Sequence, residues 1–481
     1  MQNIIGREGE MDFFHSVMES NKSEFVAVYG RRRVGKTFLI RSFFEDKFSF
    51  HITGLANAGT AQQLQNFTDC YKKLAGKTKF DKPANWKAAF QLLISLVERS
   101  KQKRKVIFID ELPWFDTTNA GFIPALEHFW NHWASARKDV VLIVCGSAAS
   151  WMINKLINNK GGLHNRVTYR LKIVPFTLYE CELFLKAKGS VLDRYQITQL
   201  YMVLGGIPFY WEQVQRRLSA AQNIERICFS ENGLLRTEFN NLFSSLFTNW
   251  DKHVSVVQVL AKKAAGLTRE EIVKGAKLPN AGSTTRILNE LEESGFIKKY
   301  VPFGKKMRNS LYQLVDFYTL FYMRYLKDVQ ADNKNNWLNS IDTPKHRAWS
   351  GYAFEQVCLC HIEQLKKALG IGGVETYSSS WRSTAKDGGA QIDLVIDRKD
   401  MVINLCEMKF SINPFVIEKK YAMELRNKMG VFRKETGTRK ALFLTMITTF
   451  GLQQNAHSTG LIQNDLRLDA LFKRVDYGLL Q

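Results

Sequence analysis

The chain has 481 residues, 45% of them hydrophobic and 24% charged, enough apolar material for the cores of about three domains and too much for a peptide or a disordered tail. Lys and Arg outnumber Asp and Glu by 68 to 46, a formal charge of +22. An excess of that size attracts polyanions, so DNA is the expected partner, with generic solubility as the plainer account. No window is apolar for the length of a membrane span, and MQNIIGREGEMDFF carries no secretory signal, so no membrane association and a cytoplasmic location are expected. Seven cysteines, an odd number without a C-x-x-C pair, argue against a disulfide framework and a structural zinc site and for reduced thiols.

From residue 1 to about 215, short apolar runs (FVAVYG, KVIFID, VVLIVCG) alternate with longer helix-like segments. That pattern predicts an α/β domain around a central parallel sheet, whose strands are covered on both faces. Residues 216 to 335 read as largely helical, and 345 to 481 return to helix, strands and helix. The polar stretch DVQADNKNNWLNS, about 328 to 340, is the expected linker.

VAVYGRRRVGKTFLI places Gly30, Arg31, Arg32, Arg33, Val34, Gly35, Lys36 and Thr37 in the G-x-x-x-x-G-K-[ST] pattern, after a strand and before a helix. The two glycines let backbone N–H groups face a β-phosphate at the helix start. Lys36 then reaches the β and γ oxygens, and Thr37 holds Mg²⁺. KVIFIDELPWF ends a buried strand in Asp110 and Glu111, at the carboxyl edge where open α/β sheets bind ligands. Asp110 is expected to orient the magnesium and Glu111 to polarise the attacking water. VVLIVCGSAAS ends at Ser147, read either as a γ-phosphate sensor or as a strand-ending turn. GGLHNRVTYRLKIVPF puts Arg166 and Arg170 in a loop before a further strand. Either is an arginine-finger candidate, delivered across a subunit boundary in a homo-oligomer, and solvated basic residues are the alternative.

GREGEMDFF, YGRRRVGKT, IFIDELPW, CGSAAS, HNRVTYRLKIVPF and LGGIPFYW, in that order, resemble the archaeal-type ATPases of the AAA+ and signal-transducing assemblage. The resemblance covers about residues 1 to 330. It implies an ATP-binding P-loop core with a helical lid and a winged helix. It also implies Arg7 and Glu8 in an N-terminal box near the nucleotide, Ser147 at the sensor position, and Gly206-Ile207-Pro208 as a lid turn over the base.

LTREEIVKGA reads as a helix capped by Thr268 with Glu271 three residues on, a capping box, and STTRILNELEESGFI as a second amphipathic helix. KLPNAG turns between them, and IKKYVPFGKKMRNSLYQLV follows as a two-stranded wing with Gly304 at its tip. In a DNA-binding version Ser283, Thr284, Thr285 and Arg286 enter the major groove, while Lys298, Lys299, Lys305, Lys306 and Arg308 meet phosphates. A protein-docking module, for a partner protein, is the other reading.

In GGAQIDLVIDRKDMVINLCEMK, period-two alternation puts Asp393 on a polar face broken by Val395. Glu407 and Lys409, two apart, share a side. With Glu355 from the preceding helix, they form either a Mg²⁺- or Mn²⁺-dependent phosphodiester-cutting site or charge pairs on a solvated face. A helix with Phe354-Glu355, then Ile392-Asp393-Leu394-Val395, then Glu407-x-Lys409 is similar to the PD-(D/E)xK nuclease superfamily, with Ile392 where that pattern has proline. That likeness implies a restriction-endonuclease-like α/β domain with Glu355, Asp393 and Glu407 on the metal and Lys409 as the catalytic lysine. The function expected is ATP hydrolysis by a DNA-engaging protein with a nuclease site at its C-terminal end. The alternative is a non-cleaving ATP-dependent regulator.

Overall fold

The computed structural model describes residues 4–76, 81–158, 161–328, 337–383 and 389–475. The chain divides into two units between Pro175 and Phe176. Residues 329–336, the centre of the expected linker, and Gly388 lie outside the described residues.

In the first unit, helix α1 (Glu8–Glu19) precedes β1 (Glu24–Tyr29), and α2 (Lys36–Phe43) follows it. With β2 (Phe50–Thr53), β3 (Lys105–Asp110), β4 (Val140–Gly146) and β5 (Tyr169–Lys172), β1 forms a five-stranded sheet in the order β2-β3-β4-β1-β5. All four pairings are parallel, as the continuous apolar runs predict. Every residue of β3 and β4 is buried. Trp86, Phe90, Phe115, Phe122 and Phe129 fill one face of this core. Register pairs Tyr29 with Gly146 and Ile109 with Val144, so β1, β4 and β3 end at one level with β4 in the middle. Arg170 lies within β5, rather than in the loop before it as expected.

The second unit begins with helices and includes the capped pair the sequence predicts. After α3 (Trp250–Leu260), α4 (Arg269–Gly275) carries the Thr268–Glu271 capping box, and α5 (Gly282–Glu293) follows. β6 (Ile297–Tyr300) and β7 (Leu311–Leu314) pair antiparallel as the wing, with Gly304 at φ +72° in its loop. The wing loop packs on the last part of the chain. Phe303 N–H donates to the Ser380 carbonyl at 2.7 Å, and its ring lies 5.2 Å from that of Phe432.

Helix α6 (Pro344–Cys360) leads into a mixed sheet of β8 (Thr376–Arg382), β9 (Gln391–Arg398), β10 (Val402–Lys409), β12 (Ala441–Thr448) and β14 (Asn464–Arg467). Two short strands, β11 (Phe415–Val416) and β13 (Leu452–Gln453), pair apart from it, and α7 (Lys419–Thr436) follows β11. The sheet order is β14-β12-β10-β9-β8; β8, β9 and β10 run antiparallel in succession, while β12 and β14 run parallel to β10.

β9 departs from simple alternation. Ser379 pairs with Val395 and Trp381 with Ile392, so three steps on β9 match two on β8. This is a β-bulge, with an extra residue at Asp393-Leu394. It places Val395 in the same apolar cluster as Ala390 and Ile392, although period-two counting assigns it to the polar face. The bulge reverses the parity at the acid.

Candidate functional site

The loop between β1 and α2 is shaped by two glycines. Gly30 has φ +147°, and a Cβ there would lie 2.3 Å from the carbonyl oxygen of Ile173 just beyond β5. Gly35, at φ +89°, is the N-cap of α2 with no side-chain cap. The first-turn N–H groups therefore have no intrahelical partner, the property that makes a helix start an anion site. Arg33 also adopts the left-handed region, Arg31 and Val34 are buried, and Arg32 is half-buried.

Lys36 is 4% exposed. Its ammonium donates to the carbonyls of Gly30 and Arg31, each at 3.0 Å, and to the Ser147 hydroxyl at 3.2 Å. Ser147 in turn donates through Oγ to Glu111 Oε1 at 2.7 Å, and its backbone N–H to Oε2 at 3.2 Å. A buried cation, a hydroxyl and a carboxylate thus link the tips of three adjacent strands. Thr37 Oγ1 donates to Asp110 Oδ2 at 2.9 Å, and the Glu111 N–H to Asp110 Oδ1 at 3.0 Å. Burial, followed by the charge of Glu111, pushes the Asp110 carboxyl up, and the Thr37 hydroxyl opposes this. Glu111 itself sits at φ +48°, a sparsely populated conformation that directs the chain sharply off β3.

Arg7, at φ +68°, donates from Nη2 to the Val34 carbonyl at 3.3 Å and pairs with Glu10 at 3.0 Å. It therefore touches the loop, and Glu8 opens α1. Arg166 is exposed in the turn before β5, and among the described residues no side-chain hydrogen bond or ion pair joins it to the loop. Pro208 opens a short helix (Pro208–Trp211) in the second unit. Beside it Gly206 meets Phe176 so closely that a Cβ would lie 1.9 Å from the Phe176 carbonyl oxygen.

These donors fit Mg²⁺ and a triphosphate. Thr37 and Asp110 are adjacent hard oxygen ligands, and Lys36 and the α2 N-terminus supply positive charge. Mg²⁺ keeps several waters and phosphate oxygens in its shell, so one or two protein oxygens suffice.

The second unit gathers a different acid group. Burial, then the charges of Asp393 and Glu407 against those of Lys409 and Lys428, push the Glu355 carboxyl up to about 8. These five side chains therefore share one electrostatic neighbourhood. Glu407, 3% exposed, accepts from Lys428 Nζ at 2.6 Å and from the Tyr421 hydroxyl at 3.2 Å, both on α7. Lys409 Nζ lies 5.0 Å from the centre of the Tyr421 ring, and Asp393 accepts from Gln391 at 2.8 Å. Among the described residues no three His, Cys, Asp or Glu side chains stand close enough to hold one metal ion. The donor chemistry suits Mg²⁺ or Mn²⁺, but Glu407 is committed to Lys428 and Tyr421. The sequence reading missed these two. Seven apart on one helix side, interleaved with buried Ala422 and Leu425, they carried a legible signal for inward placement.

In α5, Ser283, Thr285 and Arg286 are exposed, but Thr284 is fully buried and donates to the Pro279 carbonyl at 2.6 Å. The hydroxyl expected in the major groove instead fastens the turn before α5. Arg286 pairs with Glu290, which also meets His253.

Comparison with known proteins bears on the first site. Residues 4–214 match the family described as an ATPase domain predominantly from Archaea. An uncharacterised protein of Methanocaldococcus jannaschii is 26% identical over 368 residues, 76% of this chain and 78% of its own. An uncharacterised ATP-binding protein of the same organism is 44% identical over 44 residues, 9% of this chain and 75% of its own. Among solved structures, the Walker-type ATPase of Pyrococcus abyssi has a TM-score of 0.49 at 17% identity, covering 67% of this chain and 96% of that one. The ORC2 protein of Aeropyrum pernix has 0.43 at 14%, covering 67% and 95%. Over residues 4–214 the chain is similar to an archaeal-type ATPase domain, an ATP-binding P-loop ATPase of AAA+-like class. No helix among the described residues is long and apolar enough to cross a membrane, and all seven cysteines are free thiols.

Proposed function

We propose that the chain hydrolyses ATP in the loop Gly30–Thr37 and uses that cycle to control its engagement of DNA. The observation that carries the reading is the Lys36–Ser147–Glu111 linkage across three strand tips, which holds a cation and a carboxylate on either side of one hydroxyl. Bound MgATP would supply the γ-phosphoryl group and neutralise its charge. Lys36 and the α2 N–H groups bind phosphate, and Thr37 and Asp110 hold the metal. Glu111, released from Ser147, orients water and takes its proton. Ser147 senses whether Lys36 is engaged by phosphate. Arg7 braces the loop at Val34, and Arg166, exposed and untethered, is the finger supplied by a neighbouring copy. The winged helix contacts DNA through Ser283, Thr285, Arg286 and the wing cations. Phosphate release by wild type and Lys36→Ala tests the core claim, and equal rates would sink it.

A second reading is favoured by one observation, the raised carboxyl of Glu355 among Asp393, Glu407 and two lysines. Clustered carboxylates that resist ionising together are where a divalent cation gains most. The succession of helix, three antiparallel strands, helix and parallel strand supports likeness to restriction-endonuclease-like domains. On this reading Glu355, Asp393 and Glu407 would hold Mg²⁺ or Mn²⁺ once Glu407 is freed from Lys428 and the three carboxyls draw together, and Lys409 would stabilise charge. Plasmid DNA incubated with each metal and ATP separates it from a non-cleaving regulator. Nicking that disappears in Asp393→Ala supports it, and unchanged DNA in every lane removes it.

A further inference from the structure

Helix α7 has two chemically opposite sides. Inward, Ala422, Leu425 and Phe432 are buried in one apolar cluster with Val395, Leu405 and Met446, and Tyr421 and Lys428 reach Glu407. Outward, Lys419, Lys420, Arg426, Arg433 and Lys434 are exposed. Lys419, Arg426 and Arg433 recur every seven residues, about two turns, so they form one row with steps of about 10 Å and a length of about 21 Å. Lys420 and Lys434 widen it at both ends.

The N-terminal part of this group does not serve the helix itself, whereas Arg433 and Lys434 stand in the last turn, where cations suit the dipole. Among the described residues none of the five side chains makes a hydrogen bond or an ion pair. The first turn carries no acid but two lysines, at the end where the backbone dipole is already positive and acids stabilise. Over its 18 residues α7 has six basic and two acidic side chains. Local preference is overridden at the start of that face, at Lys419 and Lys420, the pattern expected where a surface serves a ligand.

We propose that the outer row of α7 is a track for the sugar-phosphate backbone of duplex DNA, separate from the winged helix. This rests on the reading that the protein engages DNA. Duplex DNA presents about one negative charge per 1.7 Å of axis, so a row of about 21 Å faces about six base pairs. Exposed Lys and Arg on a convex helix meet phosphates rather than base edges, so the contact is sequence-independent. Through Lys428 and Tyr421 the same helix fixes Glu407, which ties the track to the acid group beneath it.

The test is binding of the full chain to a labelled duplex of about 30 base pairs across a salt series, read by fluorescence anisotropy. Lys419→Gln, Arg426→Gln and Arg433→Gln together are expected to weaken binding on the order of tenfold. They should also reduce the slope of log K against log salt by about 2.7, at about 0.9 per lost phosphate contact. Thermal melting should stay unchanged, since the three side chains are exposed. The wing variant Lys305→Gln, Lys306→Gln, Arg308→Gln is run beside it. Loss in the α7 variant, with or without loss in the wing variant, supports the track. Loss in the wing variant alone overturns the track and leaves DNA engagement standing. No binding by the unaltered chain overturns both. Binding to vesicles of anionic phospholipid that depends on α7, without α7-dependent duplex binding, also overturns it.

Discussion

The two acid sites use the same side-chain classes in opposite ways. At the strand tips of the first unit, each carboxylate meets a short donor on a neighbouring strand or turn. Thr37 and the Glu111 N–H hold Asp110, and Ser147 holds Glu111. In the second unit the acids are brought within range of one another before they are paired. Among the described residues only Glu407 of these three acids forms an ion pair, and the crowding appears as a Glu355 carboxyl that keeps its proton to about 8. Parallel strands ending at one level deliver pre-arranged pairs. A bulged antiparallel strand beside a helix delivers acids that raise one another's proton affinity without, among the described residues, standing close enough to share one metal ion.

The sharpest break of this comparison is Glu111→Gln. If the first site is arranged for hydrolysis, phosphate release falls by about 10² to 10⁴-fold while nucleotide binding, followed with a fluorescent analogue, is kept. Loss of binding in parallel would make Glu111 structural. In the second unit, Lys428→Met strands a buried carboxylate and should cost on the order of 3 kcal/mol in denaturant melts, most of it recovered by adding Glu407→Gln. An unchanged midpoint would mean the pair contributes little.

Glu355→Gln gives the next effect. The folded carboxyl binds its proton up to about 8, whereas its ordinary value is 4.5. The folded chain therefore holds a proton that the unfolded chain has released, and stability falls as pH rises through that interval. The variant lacks this loss. Its unfolding free energy in denaturant melts should exceed that of wild type at pH 8, by on the order of 2 kcal/mol, with the gap closing toward pH 4.5. A pH-independent gap would contradict the clustered-charge account. The smallest effect is expected from Ser147→Ala, a fall of about tenfold in kcat with KM little moved. An unaltered kcat would reduce Ser147 to a strand-ending turn.

Much of the first site was legible because its determinants are local. Gly30, Gly35, Lys36 and Thr37 stand in one eight-residue turn, and Asp110 ends a strand whose apolar run marks both its burial and its tip. Arg170 was misplaced by a few residues because an edge strand with exposed side chains lacks the apolar run that marks its neighbours. Thr284 went astray because which side of a helix faces the core depends on the elements around it. At the second site the Glu-x-Lys spacing correctly put Glu407 and Lys409 on one side. The β9 bulge was hidden, because an extra residue shows only when two strands are paired.

The sequence by itself determined the glycine-bounded loop before α2, the parallel sheet and the capped helix pair, since each follows from glycine placement, hydrophobic period or capping within a few residues. Only the tertiary structure decided that Ser147 bridges Lys36 and Glu111, that Lys428 and Tyr421 claim Glu407, and that Val395 turns inward. Those outcomes depend on strand order, register and helix packing, which join residues far apart in the chain, and short-range preferences do not encode such distances.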